Sequence, residues 1–307
     1  MEIYDLIIIG AGPAGLTAGI YASRARLKTL ILEKLYPGGH AASTSLVENY
    51  PGFTEGVSGP QLMELFAKQA QKFGCEIKSE EVLSLELRDD KKIVRTASGE
   101  YSAKSVIIAS GSSPNLLGVS GEEKFKGRGL SFCATCDAPL FKGKTVAVVG
   151  GGDAAVEEAL QLTKFAQKVI LIHRRDTLRA VKILQERVFA EKKIEVLLGS
   201  VVTALEGDKR IESIRVRDVV TSQERRIPVN GVFLHIGYTP STEFIKFPLE
   251  RDNVGALVTD ANCQTSVAGV FAAGDVRSKL LRQIVTAAAD GAIAAFAAER
   301  YISEVRT

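Results

Sequence analysis

Two cysteines separated by two residues, in Cys133-Ala134-Thr135-Cys136-Asp137, are the part of this chain best suited to chemistry. A dithiol at that spacing takes up or releases two electrons by opening or closing a disulfide. A structural zinc site would need two further ligands at matching spacing, and the sequence offers none. A static disulfide is uncommon in a cytosolic chain of 307 residues. Redox use is therefore expected. Cys75 and Cys263 have no partner at motif spacing and read as small buried hydrophobes.

The dithiol lies between two glycine-rich turns, and these are the elements that must position it. Residues 5–9 form a short apolar run suited to a buried parallel strand. It opens into Gly10-Ala11-Gly12-Pro13-Ala14-Gly15, a helical stretch over 16–26 and a second apolar strand ending at Glu33. In the dinucleotide fingerprint the first glycine permits the tight turn, the second lets backbone approach a pyrophosphate, and the third lets helix pack on strand. The helix N-terminus offers free N–H groups to phosphate, and an acid about 20 residues on meets the ribose diol. Glu33 stands at that place.

A shift of 140 residues repeats the pattern without a gap. Strand 145–149 leads into Gly150-Gly151-Gly152-Asp153-Ala154-Ala155, a helix over 156–164 and a strand over 168–172. Gly10 falls on Gly150, Gly12 on Gly152 and Gly15 on Ala155, while Glu33 falls on His173. The acid is replaced by His173-Arg174-Arg175, with Arg179 one helical turn further. A carboxylate repels a 2′-phosphate, whereas arginines bind it through charge-assisted bonds. The first site is expected to hold a nucleotide without a 2′-phosphate and the second to prefer NADPH. The plain alternative for Arg174 and Arg175 is a solvated charged loop.

Segment 106–111 is a buried strand ending in a small-residue turn, and 232–237 repeats its shape in the second half. Segment 269–275 delivers Asp275 on a glycine turn, either as a helix cap or as an acceptor for a ribityl or ribose hydroxyl. Charged residues make up 24% and the net charge is +3, which gives no strong pull toward nucleic acid or membrane. The five-residue apolar run at the start does not resemble a signal peptide. No stretch reaches 18 uncharged apolar residues, and the apolar segment 284–298 is interrupted by Asp290 and reads as a buried helix. A cytoplasmic α/β enzyme with two Rossmann-like dinucleotide-binding domains is the expected class.

Six stretches carry a closer resemblance: GAGPAG at 10–15, GGHAASTSLVENYPG at 38–52, CATCD at 133–137, GGGDAAVEEAL at 150–160, HRRDTLRA at 173–180 and FAAGDVRSKLLRQIVTAAADGAIAA at 271–295. With them the chain resembles, essentially end to end, the bacterial-type low-molecular-weight thioredoxin reductases of the FAD/NADPH pyridine nucleotide-disulfide oxidoreductases. CATCD followed at once by a second fingerprint is specific to that family. The resemblance implies a discontinuous FAD domain at 1–115 and 242–307, with an NADPH domain carrying the dithiol, 116–241, inserted between. FAD contacts would fall on Gly10, Gly12, Pro13, Ala14, Gly15, Glu33, Gly39, His40, Asn49, Val82, Ala109, Gly274, Asp275, Arg282, Gln283 and Ile284. NADPH contacts would fall on Gly152, Asp153, Ala154, His173, Arg174, Arg175 and Arg179.

The implied reaction takes a hydride from NADPH to FAD, then to the Cys133–Cys136 disulfide, then to oxidised thioredoxin or a thioredoxin-like protein. Cys136 would be the flavin-facing sulfur, Cys133 the attacking one and Asp137 the acid/base. Hinges at 118–121 and 237–240, a domain rotation and a homodimer are implied as well. Two residues depart from the family pattern. His40 stands where Gln is commoner, which brings a titratable imidazole to the flavin, and Ala138-Pro139 follows Asp137 and stiffens that segment. Relatives that draw electrons from ferredoxin tend to lack the second fingerprint and the HRR cluster, both intact here.

Overall fold

The computed structural model describes residues 2–44, 46–88, 91–132 and 134–305. Cys133, half of the expected dithiol, lies outside the described residues, as does the side chain of Cys136. The chain begins with strand β1 (Glu2–Ile9), helix α1 (Pro13–Arg24), β2 (Thr29–Glu33), α2 (Gly59–Lys72) and β3 (Glu76–Ser79). An antiparallel meander β4 (Val82–Arg88), β5 (Lys91–Thr96) and β6 (Gly99–Ile108) follows. Pro13 opens α1, where its missing N–H removes no hydrogen bond. Ser58 caps α2, its Oγ accepting from the Gln61 N–H at 3.3 Å.

A short strand β7 (Ser112–Pro114) carries the chain out of this unit. The next elements are α3 (Glu122–Phe125), β8 (Leu130–Ser131), α4 (Ala134–Asp137), β9 (Thr145–Gly150), α5 (Asp153–Leu162), β10 (Lys168–Ile172), α6 (Lys182–Ala190) and β11 (Ile194–Leu197). A three-stranded antiparallel sheet, β12 (Ser200–Glu206), β13 (Ser213–Asp218) and β14 (Glu224–Pro228), precedes β15 (Gly231–His235). Strand β16 (Tyr238–Pro240) pairs with β7 on the way back, and β17 (Val270–Ala272) and α7 (Ile284–Val305) complete the chain.

The contacts divide the chain into one unit of Met1–Ser113 with Thr239–Thr307 and a second of Pro114–Tyr238. The crossings thus fall at 113/114 and 238/239. Gly118 and Gly121, expected at a hinge, lie inside the second unit. There the buried Glu122 carboxylate accepts the Leu117 and Gly118 N–H groups at 2.6 and 2.7 Å and braces the segment.

The first unit is built on a sheet of order β3-β2-β1-β6-β5-β4. Strand β6 pairs with β1 along one edge; its other edge is shared between β5 and, at Val106–Ile108, β17. Ile7 sits in register with both Leu30 and Val106, so three apolar strands stack side chains on the same two faces. Leu6, Ile8, Leu16 and Ala294 belong to the core under α1, α2 and α7; Ile7, Ile9, Val94 and Leu257 belong to the core on the opposite face. The second unit carries a parallel sheet β11-β10-β9-β15-β8. Val146, Val148, Val156 and Leu171 pack beneath α4, α5 and α6, and Ala147, Ile170 and Val232 pack toward the three-stranded sheet. Among the described residues no helix is long and apolar enough to cross a membrane.

Candidate functional site

The first glycine turn leaves the C-terminal end of β1. Gly10 holds φ at +103°, and a Cβ there would run into the carbonyl of Ala109, which follows β6. A Cβ on Gly15 would strike the Gly10 carbonyl, so α1 and the turn are in backbone contact. Gly12 caps α1 and faces open space, with nothing within 4 Å of where a Cβ would be. The half-buried Glu33 carboxylate ends β2 and reaches back to the turn, accepting the Ala11 N–H at 2.7 Å and the Leu35 N–H at 3.3 Å.

Residues far apart in sequence converge on that turn. The Gly38 N–H donates to the Ala11 carbonyl at 2.7 Å, and a Cβ on Gly39 would lie 3.4 Å from the Gly12 Cα. Gly274 brings its turn to within 2.9 Å, measured from a would-be Cβ, of the Ala14 methyl. Asn49 donates to Gln283 Oε1 at 3.0 Å across 234 residues of chain. His40 Nε2 lies 2.8 Å from the Ser112 carbonyl oxygen, and His40 and Arg282 are both near enough to Asp275 to influence it electrostatically. Ile284 opens α7, and Val82 opens β4 three residues past Ser79, the register partner of Glu33.

Asp275 Oδ1 is buried without a hydrogen-bond partner among the described residues. Burial pushes this carboxyl above the usual range, while Lys279, Arg282 and His40 pull it back. An uncovered helix N-terminus beside a glycine with no side chain, an acid at the ribose position and an orphaned buried carboxylate oxygen together suit a dinucleotide rich in hydroxyls and phosphates.

The second turn copies the backbone and changes the chemistry. A Cβ on Gly150 (φ +155°) would strike the His235 carbonyl, as one on Gly10 would strike Ala109, and Gly152 caps α5 facing open space. The Arg179 and Ala180 N–H groups donate to the Gly151 carbonyl at 2.6 and 3.1 Å, and Val181 N–H donates to Asp153 Oδ1 at 2.8 Å. Ala154 is exposed on the first turn of α5. His173 is turned inward, 5% exposed, with its ring against Gly151 and Nε2 without a hydrogen-bond partner among the described residues. Burial, then the charges of Arg179, Arg175 and Arg174, hold its imidazole below the usual range and favour the neutral form. The three arginines are exposed. The positive charge beside this turn is therefore carried by Arg174, Arg175 and Arg179.

The dithiol segment belongs to the second unit. Its helix α4 is tied down at its start, where the Ala134 N–H donates to Glu158 Oε2 at 2.5 Å. Asp137 ends the helix, half-buried, and leads into the 3-10 turn Ala138–Phe141. Leu140 and Phe141 of that turn help line a cavity of about 790 Å³ together with Arg128, Lys144, Lys209 and Arg210.

The sequence matches the pyridine nucleotide-disulphide oxidoreductase model over residues 4–291. The chain belongs to this family. Curated relatives include the thioredoxin reductases of Peptoclostridium acidaminophilum, 45% identical with 98% of each chain covered, and of Bacillus subtilis strain 168, 46% identical with 99% of this chain and 96% of the relative covered. Among solved structures, Lactococcus lactis thioredoxin reductase superposes with a TM-score of 0.95 at 42% identity, covering 98% of this chain and 99% of that one. The T. acidophilum enzyme gives 0.92 at 34% identity over the whole of both chains.

Two residues of this pyridine nucleotide-disulphide oxidoreductase escape a reading by motif. Glu158 lies on the inner part of α5, and no spacing rule ties it to a cysteine pair 22 residues upstream. His235 ends β15 with its side chain 3% exposed and Nε2 3.5 Å from the same Glu158 oxygen that holds Ala134. A signal for His235 did exist: the resemblance of 232–237 to 106–111 lays His235 on Ala109, and both carbonyls abut the first glycine of their turn.

Proposed function

We propose that this chain is an NADPH-dependent thioredoxin-disulfide reductase. FAD is held by the unit Met1–Ser113 with Thr239–Thr307, and NADPH by the dithiol-bearing unit Pro114–Tyr238. The observation that carries the reading is the pair of matched glycine turns, one ending in a carboxylate and the other in three exposed arginines, beside a CxxC segment. When bound, FAD supplies the two-electron relay between NADPH and the Cys133–Cys136 disulfide.

The chain's own groups have separable tasks. The N-terminus of α1 and Gly12 receive the pyrophosphate, Glu33 accepts from the ribose, and Asp275 accepts from a further cofactor hydroxyl. Pro13, Ala14, Gly39, His40, Asn49, Val82, Ala109, Arg282, Gln283 and Ile284 complete that wall. Gly152, Asp153 and Ala154 present the second helix N-terminus to NADPH. Arg174, Arg175 and Arg179 pair with the 2′-phosphate, and His173 spaces them by filling the room beside Gly151. The Cys133 thiolate attacks the thioredoxin disulfide, forming a mixed disulfide and expelling one thioredoxin thiolate. The Cys136 thiolate then attacks the Cys133 sulfur of that mixed disulfide and displaces the second thioredoxin thiolate, closing the Cys133–Cys136 disulfide and releasing reduced thioredoxin. Asp137 exchanges the thiol proton. Glu158 positions α4 through Ala134.

The partner is engaged transiently, and the placement of the enzyme is cytoplasmic, as suits relatives that are bacterial thioredoxin reductases. The chain works as a homodimer, which is supported by an exposed apolar stripe on α7 of Val285, Ile293 and Phe296. Replacing Phe296 with Glu is expected to shift the mass seen by light scattering toward the monomer.

The deciding experiment is anaerobic reduction by NADPH or NADH, followed by a thioredoxin-disulfide assay. Flavin bleaching with NADPH and thioredoxin reduction that Cys136→Ser abolishes are expected. Absence of bleaching with either nucleotide would overturn the reading.

A further inference from the structure

A cluster of four charges surrounds the turn that carries Asp275, and no part of the reading above uses three of them. Asp290, on α7, is buried, and both of its carboxylate oxygens are engaged. Oδ1 accepts from an Arg277 Nη1 at 2.8 Å, and Oδ2 accepts from the Gly274 N–H at 3.0 Å and from Lys279 Nζ at 2.9 Å. The same Arg277 Nη1 also donates to Cys263 Sγ at 3.1 Å, and Nη2 donates to the Asp260 carbonyl at 3.3 Å. Lys279 and Asp290 side chains are each 11% exposed. The Lys279 ammonium stands 3.7 Å from Asp275 Oδ1, near enough to act as a charge and too far to be its hydrogen-bond donor.

Charges withdrawn from water are tolerable when they are paired and hydrogen-bonded. Asp290 and Lys279 meet that requirement, and Arg277 meets it through its two Nη atoms, its Nε being buried without a partner among the described residues. The oxygen left over is Asp275 Oδ1, desolvated and without a donor among the described residues. A carboxylate kept ionised by a neighbouring cation while lacking a donor is an acceptor held ready for one that arrives with a ligand.

We propose that Asp290, Lys279 and Arg277 are positioning residues for the flavin. Asp290 locks the Gly274–Asp275 backbone and the Lys279 ammonium in place, and Lys279 keeps the Asp275 carboxylate charged as the acceptor for a cofactor hydroxyl. The inference rests on FAD occupying this unit. The charges facing Asp275 are Lys279, Arg282, His40 and Asp290; burial raises its pKa and Lys279 is the strongest opposing influence. With Lys279 neutralised, the carboxyl protonates at higher pH than before, and the acid form is a poorer acceptor than the carboxylate. Affinity for FAD should then fall as pH falls.

The test is reconstitution of apoprotein with FAD, followed by flavin fluorescence at pH 6, 7 and 8, with the melting temperature of each apoprotein measured alongside. Failure of the wild-type apoprotein to bind FAD would overturn the reading of the site itself. Given binding by the wild type, Asp290→Asn is expected to weaken FAD about tenfold or more at pH 7. Lys279→Gln should weaken it with a loss that grows from pH 8 to pH 6, and Lys279→Arg should stay within about threefold of wild type with a flat profile. In an Asp275→Asn background, where there is no carboxyl to titrate, Lys279→Gln should add no pH dependence. Lys279→Gln affinity within twofold of wild type at every pH, or a loss equal at every pH, would overturn the inference, and neither outcome depends on Asp290→Asn folding.

Discussion

The two glycine turns share one backbone and differ at the residue that closes each of them. In the first, Glu33 reaches across to the Ala11 N–H, so a carboxylate stands at the ribose position. In the second, the residue in that register is His173, and the group it meets is Gly151, the counterpart of Ala11. The imidazole fills the room a methyl would take, is buried with its neutral form favoured, and leaves the charge to exposed arginines. On the proposed reading, one turn would exclude a 2′-phosphate by charge and the other would invite it, on two turns of like backbone. Specificity would then be a matter of two or three side chains on a common frame.

The largest expected effect tests that division directly. Replacing both Arg174 and Arg175 with Ala removes two charge-assisted partners, each contributing about 1.5–3 kcal/mol. The ratio of kcat/KM for NADPH over NADH should fall by about a hundredfold or more; an unchanged ratio would break the comparison. Next, Gly151→Ala drives a methyl into the His173 ring and should destabilise the protein by about 1–3 kcal/mol in urea unfolding. The double change Gly151→Ala/His173→Ala should recover much of the loss, since the three atoms nearest the added methyl all belong to the His173 ring.

A smaller effect belongs to the first turn. Glu33→Gln keeps the shape and removes the charge facing Ala11, and should weaken FAD by about tenfold while leaving the KM for NADPH unchanged, at the low end of bonds to charged groups. The smallest is a pH effect. His173 titrates lower in the folded chain than its ordinary value. Below about pH 6.5 the unfolded chain therefore binds a proton that the folded chain refuses, and stability falls as pH falls toward the folded pKa. Melting temperatures between pH 7 and pH 5 should drop less for His173→Asn than for the wild type.

Strands of four to six apolar residues, each opening into glycines and then a helix, are legible because period and turn chemistry are local properties. The ungapped shift of 140 residues made the second turn legible from the first. The expected hinge segments, 118–121 and 237–240, came from the resemblance; the division of contacts falls at 113/114, ahead of the first, and at 238/239, within the second. His173 was read with the arginines because it shares their segment. Its burial against Gly151 depends on how strand β10 meets the glycine turn, which no local pattern reports.

By itself the sequence determined which groups are available: a cysteine pair at two-residue spacing, two glycine turns that each open a helix, and a carboxylate after the first with arginines after the second. Those follow from residue type and short spacing, which survive without coordinates. Only the tertiary structure decided which charges lose water and which groups then meet. It set Glu158 between Ala134 and His235, drew Asn49 to Gln283, and left Asp275 with a cation nearby and no donor among the described residues. Each of these depends on desolvation and on distances between segments distant in sequence, and both exist only once the sheets have closed over their cores.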